Sequence, residues 1–109
     1  MSPGQEDTPI EVADNLDEGR YEIRVGGDLA GFTQYRQRPA GLAFVHTEID
    51  DRFEGQGLGS RLVSYALDDA RARGLAVLPF CPFVRSYIER HPEYLDLVPE
   101  EKRAEFRLG

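Results

Sequence analysis

The stretch Glu54-Gly55-Gln56-Gly57-Leu58-Gly59-Ser60 has the residue types and spacing that point most directly to chemistry. Glycines at alternate positions let successive backbone N–H groups turn toward one point, and a helix starting there adds the positive end of its dipole. Such a turn can hold a phosphate or pyrophosphate without any basic side chain. Two familiar phosphate motifs do not fit. A Walker loop needs Lys-Ser/Thr after its last glycine, where Ser60-Arg61 stands, and a dinucleotide fingerprint in register with Gly57 and Gly59 needs Gly or Ala at 62, which is Leu. The same glycines also suit a tight strand-to-helix turn that binds nothing.

Other reactive side chains cluster on either side of this loop. His46 and Glu48 alternate within Leu42-Ala43-Phe44-Val45-His46-Thr47-Glu48-Ile49, a run that reads as a strand, so both side chains fall on one face and Thr47 on the other. A histidine and a carboxylate on one face beside such a loop can serve as general base or acid, directly or through water. A hydrogen-bonded histidine and a surface glutamate would look the same in sequence. Cys81 precedes Pro82, and proline suits the first helical position, which makes Cys81 the expected N-cap. A thiol there feels the helix dipole and unpaired N–H groups, which favour a reactive thiolate. The plainer reading is a buried cysteine packed as a small hydrophobe. Pro79 and Pro82 withhold backbone donors, so the strand ending there should part from its neighbour.

The elements that must carry these residues follow from periodicity. Ile10 and Val12, Tyr21 to Val25, Leu29 to Tyr35 and Leu42 to Ile49 read as strands, with Gly26-Gly27-Asp28 as a hairpin turn and Arg36 to Gly41 as a polar loop. Short turns between them imply an antiparallel meander. Leu58, Leu62, Val63, Ala66, Leu67 and Ala70 then fall at helical spacing, and Gly74 sits where a C-terminal cap belongs. Residues 75–80 form a short apolar strand, so strand, helix and strand make a right-handed unit with strands 42–49 and 75–80 parallel. A second helix is expected from Phe83 to Arg90, then an edge strand from Tyr94 to Val98 and a helical first turn at Pro99-Glu100-Glu101. The fold class is therefore α/β (α+β). Residues 1–8 are expected to be a flexible tail, 9–98 one domain, and 99–109 a tail or short helix.

Composition narrows the partners. The 109 residues are 40% hydrophobic with a net charge of −7, which suits one domain with a modest core and disfavours nucleic acid. A cationic acceptor such as an amine fits that charge better. The single cysteine excludes an internal disulfide or a multi-thiolate metal site. The polar, acidic start shows no export signal, and the longest apolar-rich run, Leu75 to Val84, is about half the ~20 residues a membrane span needs. A cytoplasmic location, no membrane association and no metal are the expectations.

Strand, then Gln-Gly-Leu-Gly-Ser opening an amphipathic helix, then a short apolar strand, resembles the acetyl-CoA-binding core of the GCN5-related N-acetyltransferases. Their pyrophosphate loop, Gln/Arg-x-x-Gly-x-Gly/Ala, lands on Glu54, Gly57 and Gly59, with Glu54 replacing the usual Gln or Arg while the backbone cradle is untouched. His46-Thr47-Glu48-Ile49, Leu78-Pro79-Phe80-Cys81-Pro82-Phe83-Val84 and Tyr87 to Tyr94 resemble a compact branch of that superfamily, over roughly residues 10–98. The resemblance implies an N-acetyltransferase using acetyl-CoA as cosubstrate. Gln56, Gly57, Leu58, Gly59 and Ser60 would hold the pyrophosphate beside Ile49 at the strand end, with Arg61 and Arg85 as further phosphate partners on charge alone. Tyr87 resembles the tyrosine that protonates the departing CoA thiolate, although a packed aromatic is an equally common reading. The superfamily places one or two helices between its first strands, and the interval from Val12 to Tyr21 is too short for them, so the acceptor site is expected to be open or completed by another subunit. The acceptor is expected to be a small-molecule or protein amine, and the protein a monomer or homodimer. A non-catalytic acyl-CoA sensor is the rival reading, and a purely structural domain the next.

Overall fold

Gly26 and Gly27, at φ 58° and 88°, occupy left-handed conformations that other residues adopt at a cost, and they close the hairpin between β2 (Arg20–Val25) and β3 (Asp28–Arg38). The computed structural model describes residues 8–109, so all but the last residue of the expected tail lies outside the described residues. β1 (Ile10–Asn15) and β4 (Gly41–Ile49) flank this hairpin antiparallel, and β5 (Val77–Pro79) pairs parallel with β4, giving a five-stranded sheet in the order β1-β2-β3-β4-β5. β1 and β2 are joined only by residues 16–19, which leaves no room for a helix.

α1 (Leu58–Ala72) is the crossover, burying Leu58, Leu62, Val63, Ala66, Leu67 and Ala70. It ends as its sequence predicts. Gly74 at φ 70° donates to the Arg71 carbonyl and Leu75 to the Ala70 carbonyl, the paired bonds of a Schellman cap. α2 (Pro82–Arg90) begins at the proline, with Cys81 as its N-cap.

Several boundaries differ from the sequence reading. β3 runs on to Arg38, because Arg36, Gln37 and Arg38 pair with Ala43, Leu42 and Gly41 while their polar side chains stay in water. β5 is three residues long rather than six. The expected edge strand from Tyr94 to Val98 is instead a 3-10 helix, Pro92–Leu97, which buries Tyr94 and Leu97 at a spacing of three. A further turn, Glu100–Lys102, follows, and Phe106 and Leu108 beyond it are buried in the core.

One face of the sheet packs on α1 through Tyr21, Ile23, Thr33 and Phe44, all fully buried. On the other, Glu22 pairs across to Phe32 and then Glu48, and Arg20 to Gln34 and then His46. Among the described residues no helix covers this second row: His46 and Glu48 are exposed.

Candidate active site

α1 opens at Gly57, φ 72° and ψ 17°, which has no side-chain capping bond. The first intrahelical bond is Arg61 N–H to the Gly57 carbonyl at 3.2 Å, so the N–H groups of Leu58, Gly59 and Ser60 come before the helical ladder begins. The first turn has no acidic side chain to compete for them. Gly55 also has positive φ, and a Cβ built on Gly55 or Gly57 would touch nothing within 4 Å, so the turn faces open space. Before it lies a depression of about 340 Å³ walled by Ile49, Phe53, Leu58, Gly59, Ser60 and Phe83, with the exposed Glu54 also on its lining. Three free donors at the positive end of a 15-residue helix, opening on a partly apolar hollow, can seat an anionic group joined to a less polar chain.

The hollow adjoins a break in the sheet. β4 and β5 pair only over Leu42–Val77, Ala43–Leu78 and Phe44–Pro79. Opposite β3 the register jumps so that Gln34 faces His46 while Tyr35 faces Phe44, leaving Val45 as a β-bulge. Beyond Phe44, therefore, the outer edge of β4 has no strand partner among the described residues. This is the parting that the two prolines predict.

Cys81 stands at that parting. Its N–H donates to the Phe44 carbonyl at 2.8 Å, and its thiol donates to Thr47 Oγ1 at 3.3 Å, which in turn shares a 2.8 Å hydrogen bond with Thr33. With 4% exposure, the thiol is buried and partnered rather than free. Tyr87, 6% exposed, stacks on His91 with centroids 4.1 Å apart and leans on Tyr94 at 5.9 Å, within the contact between α2 and the following 3-10 helix. Tyr94 donates to Asp68 on α1 at 2.8 Å; burial first and this carboxylate next hold its phenol above the ordinary range, although Ser64 opposes the shift.

His46 and Glu48 do share a face, and His46 Nε2 lies 3.2 Å from Glu48 Oε1. Their side chains are 54% and 64% exposed on the open side of the sheet, opposite Thr47. The structure thus puts Cys81 on the helix-packed side of β4 and the His46–Glu48 pair on the other. Gly57, Leu58, Gly59, Ser60 and Ile49 meet at the hollow, with Gln56 in the same turn. Arg61 is exposed one residue further into the helix, whereas Arg85 is tied to the Phe80 carbonyl at 3.4 Å.

A part-buried network ties the C-terminal end of α1 to the sheet. Tyr21 donates to Asp69 and Tyr35 to Asp14, each at 2.6 Å, and Arg73 bridges the two carboxylates at 3.0 and 3.1 Å. Burial, then the adjacent carboxylate, pushes both phenols far up, so they remain protonated donors.

A family model described as GCN5-related N-acetyl-transferase matches residues 20–97, which includes β2 through the 3-10 helix and every candidate above. The chain belongs to this family. No curated protein matches it. The solution structure of a GCN5-like N-acetyltransferase candidate from Staphylococcus aureus is similar in fold, with a TM-score of 0.63 at 23% identity over 82% of this chain and 87% of that one. Within the acetyltransferase fold, sequence reasoning missed Phe53 and Phe83, which wall the hollow, and Thr47 and Thr33, which hold the thiol. Thr47 carried a usable signal, since strand alternation already placed it opposite His46. Phe83 carried only its place after Cys-Pro.

Proposed function

We propose that this protein is an acetyl-CoA-dependent N-acetyltransferase in which the acceptor amine attacks the thioester directly. The observation that carries the reading is the cradle at Gly57: three unpaired N–H groups, no competing carboxylate in the first turn and open space in front. A pyrophosphate fits that donor set. Acetyl-CoA, when bound, supplies the activated acyl group. The chain's own residues do the rest. Backbone N–H groups on the unpartnered edge of β4 polarise the carbonyl, as preorganised donors do in acyl transfer. The amine nitrogen bonds to the carbonyl carbon, the carbon–sulfur bond breaks, and the sulfur leaves as thiolate. His46 or Glu48 takes the proton lost from nitrogen, and the Cys81 thiol or the Tyr87 hydroxyl returns one to the sulfur.

The packing of Thr33, Thr47 and Cys81 closes the helix side of β4, so the amine arrives over the open face, where the acid–base pair stands. The acceptor is an amine on a small molecule or a protein, and the protein acts as a monomer or homodimer. One feature favours the rival acyl-CoA sensor: both candidate acids are buried in packing contacts, Cys81 against Thr47 and Tyr87 against His91. Two measurements separate the readings. Thermal stabilisation by CoA tests the cradle, and thiol release from acetyl-CoA across an amine panel tests turnover. Stabilisation without turnover on any amine selects the sensor; no stabilisation ends both readings.

A further inference from the structure

The turn at which the β4–β5 ladder ends is braced from outside the residues the family model covers. Phe80 N–H bonds back to the Leu78 carbonyl at 3.0 Å, a tight turn within its own chain, and this leaves Cys81 rather than Phe80 to meet the Phe44 carbonyl. The ladder stops there. The turn rotates the Phe80 ring outward, where it is 45% exposed and would have little to hold it. What holds it is Phe106: the two rings meet edge-to-face, centroids 5.0 Å apart and planes at 79°, and Phe106 itself is only 3% exposed. Phe106 is fixed in turn by its own segment. Arg103 Nε donates to the Val98 carbonyl at 3.1 Å, Leu108 is buried, and Arg107 between them has φ 59°, the one non-glycine residue with positive φ among the described residues. A backbone held in that region is over-determined by its surroundings. The family model ends at residue 97, so this brace lies beyond it.

We propose that residues 98–109 are a strap that holds the Phe80 turn, with Phe106 as the positioning residue that keeps the β4–β5 parting open and Cys81 seated on Thr47. The consequence for acetyl-CoA rests on the function proposed above; the consequence for Cys81 does not.

The test compares Phe106→Ala with Leu108→Ala in the full chain. Leu108 lies in the same strap but lines a hollow with Ile88, Pro92 and Leu95 that does not include Phe80, so it controls for general loosening. Phe106→Ala should raise the alkylation rate of Cys81 by a maleimide roughly tenfold or more, through local opening of the turn. It should also speed amide exchange at Phe80 and Cys81 selectively, and weaken CoA binding. Leu108→Ala should lower the melting temperature with less than about a threefold change at Cys81. Equal alkylation rates in the two variants, or none above wild type, overturn the strap. If alkylation and exchange respond but no protein binds CoA, the strap stands and the function reading fails. Should Phe106→Ala not fold, Phe80→Ala makes the same comparison, because it removes the other half of the contact.

Discussion

Stability and ligand binding should part company at Gly57. Its φ of 72° lies in the left-handed region, and a Cβ there meets no atom within 4 Å, so substitution is opposed by backbone strain alone. That strain is about 1–2 kcal/mol for an L-residue, partly offset by the smaller unfolded-state entropy of alanine. Gly57→Ala should therefore lose about 1 kcal/mol, or a drop of about 4 °C in melting temperature. Gly57→Glu bears the same strain but brings a carboxylate to the unpaired N–H groups of Leu58, Gly59 and Ser60. That should return about 0.3–1 kcal/mol. Without ligand the order is wild type, then Gly57→Glu, then Gly57→Ala, read by urea denaturation. With CoA the two variants exchange places. At about 100 times Kd, CoA should add about 2.7 kcal/mol to wild type, a large part of that to Gly57→Ala, and nothing to Gly57→Glu, whose own carboxylate fills the cradle. If Gly57→Glu is the less stable variant without ligand, the helix start is not the electropositive site argued here. A full CoA shift in Gly57→Glu would place the pyrophosphate elsewhere.

Three other expectations follow from single contacts. Burial pulls the Glu22 carboxyl up, but hydrogen bonds from Arg20, Asn15 and Arg24 outweigh it and hold its pKa below the ordinary 4.5. A lowered folded value gives stability that is present above the unfolded pKa and lost as pH falls through the folded one, so the advantage of wild type over Glu22→Gln, about 1–2 kcal/mol at pH 7, should fade below about pH 4.5 in urea titrations. Gly31→Ala would place a Cβ 2.5 Å from both the Glu48 carbonyl oxygen and Ile49 Cδ1; because backbone must move, it should destabilise the fold by about 1–3 kcal/mol, read by calorimetry, and weaken CoA binding beside Ile49. Cys81→Ala should slow acetyl transfer about 10²-fold while leaving CoA binding intact. Since the thiol is buried against Thr47, intact mass after acetyl-CoA alone should show no stoichiometric adduct; one that an amine discharges would make Cys81 the nucleophile.

The elements with strong periodicity were legible because one residue type per position decides them. Gly26-Gly27, the apolar stripe of α1, Gly74 and Cys81-Pro82 each have a local physical cause and appear where the sequence puts them. The parting of β4 from β5 was readable for the same reason, since a missing proline donor is a local fact. The errors arose where long-range packing decides. Tyr94 and Leu97 fit a strand by composition, but Asp68 of α1 takes the Tyr94 hydroxyl and Arg71 takes Asp96, and those bonds wind the segment into a 3-10 helix. The Thr33–Thr47–Cys81 chain joins positions 14 and 34 residues apart, a distance no local pattern spans. Likewise nothing in the sequence tied Phe106 to Phe80.

The open face of the sheet has its own consequence for acceptor choice. Four residues join β1 to β2, so no helix rises from that connection to wall the row His46, Glu48, Phe32 and Gln34. Arg20 and Arg24 both direct their guanidinium groups at Glu22, and Arg20 lies 4.5 Å from the Phe32 centroid, which leaves the exposed Glu48 as the carboxylate of this row with no arginine partner. The hollow bordering Glu48, Phe32 and Gly31 is only about 120 Å³, too small to enclose more than the end of an aliphatic amine. Selectivity among amines requires pockets that reject the wrong shape, with a missing methylene worth about 1–3 kcal/mol only inside an enclosing site. An acceptor held only by that small hollow should therefore be bound by its ammonium end and not by the rest, giving kcat/KM values for unrelated primary amines within about tenfold of one another when the protein is monomeric. Preference above about a hundredfold by a monomer would mean that the face is not where the acceptor binds. The same preference appearing only with dimerisation would mean that a second copy supplies the missing wall.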